Sequence, residues 1–175
     1  MSTLNKIKGP IFKIPKKDVD TDQIIPAQYL TKSDKLGFGP HVFEGMEYEG
    51  FDRNGEDFNN AVILVVDDNF GCGSSREHAV WAIQAHGIKA IIGTFFARIF
   101  YQNCIACGLP AISVSEEEIR SIFDLENSAE VDVDLENKEI TADGGKMNFA
   151  LEAYDEALLK TGGLVGFAHS KYGGT

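Results

Sequence analysis

The chain has 175 residues and 43% hydrophobic content, enough for one domain with a substantial core. Its formal charge of −11 excludes a general nucleic-acid binder, and no apolar run approaches the ~20 residues that span a bilayer. Three cysteines, an odd number, do not suggest a disulfide framework, and the N-terminus lacks the pattern of a secretory signal, so the cytoplasm is the expected compartment.

Ile7 to Ile14 reads as the first strand. Residues 31–60 read as a long polar loop with Gly37, Gly39, Gly45, Gly50 and Gly55; such a loop inside a compact domain is usually functional or mobile. The run 61–67 predicts a buried strand, followed by a glycine-bearing turn and a helix to about His86, which Gly87 is placed to end. Ile88 to Ile92 predicts a second buried strand, Phe95 to Gln102 a helix, and Ala111 to Val114 a short strand. Ser115 with Glu118 makes a capping box for a helix over 116–123. Residues 131–135 alternate as a half-exposed strand, Asn137 and Lys138 turn it into 139–141, and Met147 to Leu151 adds another. Tyr154 to Lys160 predicts a last helix, ended by Gly162. The order supports one mixed α/β domain over 1–175, with a sheet that is not purely parallel.

Charge is unevenly placed. Residues 1–17 hold five lysines and no acid; residues 115–143 hold eleven acids and two bases, a balance of −9. A solvated face is the preferred reading of that acidic segment. An acidic surface repels anions, so an anion site would need local cations; Arg76, Arg98, Lys32 and Lys35 are the candidates.

The most informative stretch is Gly71-Cys72-Gly73-Ser74-Ser75-Arg76-Glu77-His78-Ala79. It delivers two serines and an arginine to a helix N-terminus, where unpaired N–H groups and a partial positive charge hold anions. Arg76 adds a planar fork for a carboxylate, and a serine hydroxyl beside it could move a proton. The bland alternative is that Ser74 or Ser75 is an N-cap, with Glu77 or His78 completing a capping arrangement. His78 either orients the turn or is simply packed. Cys104-x-x-Cys107 lacks the further thiolates that zinc or a cluster needs, and is read as structural. The four histidines make no metal-ligand spacing. Asp18, Asp20 and Asp22 alternate, but the residues after them lack the glycine and distal glutamate of a calcium loop.

Three segments carry a family resemblance: Asp18 to Leu30, the turn above, and Ile91 to Asn103 followed by Gly108-Leu109-Pro110. Together they resemble the small subunits of 3-isopropylmalate dehydratases, which are similar to the swivelling fourth domain of aconitase. The resemblance implies a swivelling β/β/α domain and a hydro-lyase of leucine biosynthesis, active only with a large subunit. The implied reaction is loss of water from a 2-hydroxy dicarboxylate and its return at the neighbouring carbon. It implies Ser74 as the base, Ser75 and Arg76 as carboxylate-binding residues, and Asp22 as a residue organising the active site; Asp20 reads as structural. It places a [4Fe-4S] cluster on the large subunit and no metal on this chain. Substrate choice is associated with the loop after Tyr29-Leu30. Thr31 stands there instead of an arginine, which favours an uncharged branch on the substrate, while Lys32 offers an ammonium. The resemblance implies Leu30 and Thr31 as substrate-binding residues there; Leu36, Phe38 and Phe43 are compatible with an alkyl group, though all three equally suit packing of the loop. 2,3-Dimethylmalate dehydratase and homoaconitase small subunits, and a non-catalytic carboxylate-binding domain, remain the alternatives.

Overall fold

The strand β1 (Lys6–Ile14) changes character half-way along its length, and the whole sheet follows from that change. In the computed structural model, which describes residues 6–31 and 35–173, Lys6–Pro10 pairs antiparallel with β5 (Glu130–Asp134), and Ile11–Ile14 pairs parallel with β2 (Ile63–Val66). The parallel side continues through β3 (Ala90–Gly93) to β4 (Ala111–Ser113). The antiparallel side continues through β6 (Glu139–Ala142) to β7 (Gly145–Asn148). The result is one seven-stranded sheet in the order β4-β3-β2-β1-β5-β6-β7. Burial tracks pairing. β2 and β3 are buried at every position, as parallel strands covered on both faces must be, whereas β5 and β6 alternate.

The sheet separates two cores. Phe12, Ile14, Leu64, Val66 and Ile91 face one side, where α3 (Glu77–His86) and α4 (Arg98–Ala106) pack. Ile7, Ile11, Ile63, Val65, Ile92 and Ile112 face the other, against Ile119 and Ile122 of α5 (Glu116–Phe123). This is the period-two alternation of strands expressed on two buried faces. Ser115 and Glu118 make the expected capping box at α5. Gly87 ends α3 in the left-handed region at φ 114°.

Several elements differ from the sequence expectations. The helix expected from Phe95 begins only at Arg98, because Phe96 forms a bridge with Phe70 and the Ala97 N–H is spent on the Phe70 carbonyl. The strand expected over 147–151 lies at 145–148. Asp143 and Gly144 form the two-residue turn before it, both with positive φ, as a tight hairpin requires. Outside the 31–60 segment two helices are additional: α1 (Thr21–Ile24), with Asp20 and Gln23 as its capping box, and α7 (Leu164–Tyr172), after α6 (Ala153–Lys160).

The segment 31–60 is not the open loop its composition suggests. Its described part contains a 3-10 stretch, Lys35–His41, and α2 (Glu56–Asn59). Phe38, Val42, Phe43, Met46 and Phe58 are buried against α3 and β1. Phe38 and Phe43 therefore fill the core and do not line a substrate pocket. The acidic segment is largely the solvated face expected, and part of it also meets the first strand. Lys6 lies 4.0 Å from Asp134 and Lys8 3.3 Å from Glu130, so the basic first strand meets the acidic β5 across the ladder. No helix among the described residues is long and apolar enough to cross a membrane.

Candidate active site

The chain leaves β1, β2 and β3 at their C-terminal ends, and the three connections meet there. Backbone bonds stitch them together: Asp18 N–H to Asp68 O at 3.0 Å, Gly71 N–H to Val19 O at 2.7 Å, Thr21 N–H to Cys72 O at 3.0 Å and Ala97 N–H to Phe70 O at 3.0 Å. The crevice outside the carboxyl ends of parallel strands is where open α/β sheets bind ligands.

A cleft of about 260 Å³ opens at this junction, lined in part by Thr21, Ser74, Ser75, Arg76, Arg98 and Ile99. Gly71 also lines it, and its φ of +87° together with the Phe100 ring beneath leaves no room for a side chain. Gly73, at φ +88°, lets the turn lie on Asp20 and Thr21.

Neither serine is a helix cap. The N-cap of α3 is Arg76, in extended conformation and without a side-chain cap bond. The helix starts too late for Ser74 or Ser75 to reach its first turn as a cap, and both are exposed. The Ser74 carbonyl accepts a hydrogen bond from Thr21 Oγ1 at 2.9 Å. Arg76 Nη1 donates to Asp22 Oδ1 at 2.5 Å, across 54 residues of sequence. Arg76 is the more sheltered partner, its side chain 22% exposed against 62% for Asp22.

The electrostatics are local. Two helix N-termini, of α3 and α4, abut the cleft, and neither has a side-chain cap. Arg98 opens α4 and has no ion pair among the described residues. The Arg98 guanidinium, the Arg76 donors that Asp22 leaves free and two dipole ends therefore favour an anion here, in a chain whose net charge is −11. The Cys72 thiol, in the same turn, is pushed up by burial and by the carboxylates of Asp20 and Asp18, so it stays protonated.

Residues 1–117 match the family described as the aconitase C-terminal domain. The chain belongs to that family and, within it, to the 3-isopropylmalate dehydratase small subunits. The 3-isopropylmalate dehydratase small subunit of Rhizobium etli (strain CIAT 652) is 41% identical over 173 residues, covering 93% of this chain and 86% of that protein. That of Dinoroseobacter shibae is 38% identical with the same coverage. The crystal structure of 3-isopropylmalate dehydratase from Methanocaldococcus jannaschii superposes with a TM-score of 0.79 at 35% identity, over 95% of both chains.

For this small-subunit fold, the residues singled out in the sequence fall into two groups. Ser74, Ser75 and Arg76 line the cleft, and Asp22 reaches it through Arg76. Leu30 and Thr31 do not line it. Leu30 caps a short 3-10 turn and packs on the core, and Thr31 is exposed. Lys32 lies outside the described residues, and Lys35 lies in the 3-10 stretch. Asp20 is the structural residue expected, as the cap of α1. Thr21 is the residue sequence reading missed, although its place beside Asp22 was a signal.

The packed alternative holds for His78, whose ring meets Phe38 edge-on at 5.4 Å and Trp81 at 4.8 Å. Cys104 is fully buried, and burial pushes its thiol well up. Cys107 Sγ donates to Glu77 Oε1 at 3.3 Å. Among the described residues no three His, Cys, Asp or Glu side chains converge to hold a metal ion.

Proposed function

We propose that this chain is the small subunit of a two-chain hydro-lyase that isomerises 2-isopropylmalate and 3-isopropylmalate by dehydration and rehydration, in leucine biosynthesis. The observation that carries this reading is the convergence of Ser74, Ser75, Arg76 and Arg98 on one cleft at two helix N-termini. Ser74 Oγ takes the proton from the substrate carbon and returns it in the reverse direction. A serine hydroxyl is a weak acid, so its alkoxide needs nearby positive charge. Arg76, Arg98 and the aligned amides of α3 and α4 provide it without reorganisation. Arg76 grips a carboxylate with the donors that Asp22 leaves free, and the Ser75 hydroxyl adds a further bond. Asp22 fixes the guanidinium in place.

The family's [4Fe-4S] cluster supplies a Lewis acid at the leaving hydroxyl when bound. The thiols of this chain do not suit it, since Cys104 is buried and no ligand set converges among the described residues. The family resemblance supports assigning the cluster to the large subunit, the partner this reading requires. The substrate is a small 2-hydroxy dicarboxylate, and the compartment is the cytoplasm.

The test is anaerobic purification of the tagged chain from its own cells, followed by turnover. A brown complex with a stoichiometric large subunit, faster on 2-isopropylmalate than on 2,3-dimethylmalate or homocitrate, is expected. A colourless chain without a partner, or preference for another substrate, would contradict the reading.

A further inference from the structure

Thr21 is one of only two polar or charged residues in the buried class among the described residues, with 2% of its surface exposed. A buried hydroxyl costs free energy unless it is hydrogen-bonded, and valine has nearly the same shape. The bond Thr21 makes is therefore informative. Its Oγ1 donates to the Ser74 carbonyl at 2.9 Å, and its own N–H donates to the Cys72 carbonyl at 3.0 Å. One residue thus holds the serine turn twice, from the side chain and from the backbone. Gly73 shapes the turn here through its φ of +88°, and a Cβ on it would lie a tight 3.3 Å from Asp20 Cβ.

Ser74 needs such an anchor. It lies outside any helix or strand and two residues before the cap of α3, so no ladder fixes it. The peptide unit is planar, so pinning the Ser74 carbonyl also fixes the Ser75 N–H. What remains between that plane and Ser74 Oγ is a short run of torsions. Thr21 is β-branched, with few rotamers, and sits at the start of the capped α1, so the donor itself is held still.

We propose that Thr21 is a positioning residue for Ser74, its hydroxyl holding the Ser74 backbone so that the serine is presented to the cleft. This rests on the reading of Ser74 as the group that moves the proton. The test uses the assembled two-subunit complex with Thr21→Val, Thr21→Ser and Ser74→Ala in the small subunit. Thr21→Val should lower kcat by about tenfold or more, since small misplacements of a reacting group cost up to ~10²-fold. KM should stay within about twofold, because carboxylate binding by Arg76 is untouched. Thr21→Ser keeps the hydroxyl and should recover kcat to within about threefold of the wild type. Thr21→Ala replaces Thr21→Val if the latter does not assemble.

Wild-type kcat in the hydroxyl-free variant, or equal losses in it and in Thr21→Ser, would overturn the positioning role. So would failure of both hydroxyl-free variants to assemble, which would make Thr21 a structural residue. Ser74→Ala separates the two readings. If it retains turnover, the assignment of Ser74 fails. If it loses turnover while Thr21→Val keeps it, the inference about Thr21 alone fails.

Discussion

At Gly71 the backbone has φ +87°, and a Cβ would fall on the Phe100 ring, itself 3% exposed. Two penalties combine there, left-handed backbone for an L-residue and overpacking of a core aromatic. Gly71→Ala should destabilise the chain by about 2–5 kcal/mol, read from its urea midpoint. A change under about 0.5 kcal/mol would contradict this account of the turn. The serine–arginine residues were legible because their types and order carry chemistry. Their partners were not. Asp22 with Arg76, and Thr21 with Ser74, are joined across more than 50 residues by the sheet's geometry. The capping alternative for Ser74 and Ser75 could be decided only by where α3 begins.

The elements with short-range signals were read well. The capping box at Ser115 and Glu118 placed α5 at 116–123, and the glycine at 87 placed the end of α3. Ser115→Ala should cost about 1 kcal/mol, measured by chemical denaturation, because the Glu118 N–H loses its acceptor. Two helices lie outside these readings, α1 although Asp20 and Gln23 give it a capping box of the same kind. α1 is four residues long, and α7 has no side-chain cap and no buried residue. In 31–60 the buried aromatics follow no single period, since Phe38 sits in a 3-10 stretch, Phe43 beyond its end and Phe58 in the four-residue α2. The Asp143-Gly144 turn sets β7 two residues earlier than the apolar residues of 147–151 suggest.

A pH prediction belongs to α6. Glu156 bridges Lys138 at the sheet and Lys160 on its own helix, and those hydrogen bonds hold its carboxyl below the usual glutamate range. A depressed folded-state value means the stabilisation is present above the unfolded value and lost as pH falls through the folded one. Wild type should therefore exceed Glu156→Gln in stability at pH 7. The gap should close in acid, below the depressed value, in urea titrations at each pH. A gap independent of pH would contradict the ion-pair account.

At the scale of the molecule, β1 joins a parallel half-sheet to an antiparallel one. The site lies where three connections leave the parallel half. Alternation of strands and helices early, and of hairpin strands late, made that mixed class legible. The strand order was not, because β5 returns to pair with β1 across more than a hundred residues. The same pairing brings the basic first strand against acids of the 115–143 segment. The cleft presents guanidinium groups and helix N-termini to an anion.

The most direct measurement is turnover of 2-isopropylmalate by the assembled complex carrying Ser74→Ala. The account predicts a fall in kcat of about 10²–10⁴-fold, the usual contribution of a positioned proton-transfer group, with large-subunit stoichiometry unchanged. Turnover near the wild-type rate in an intact complex would contradict it.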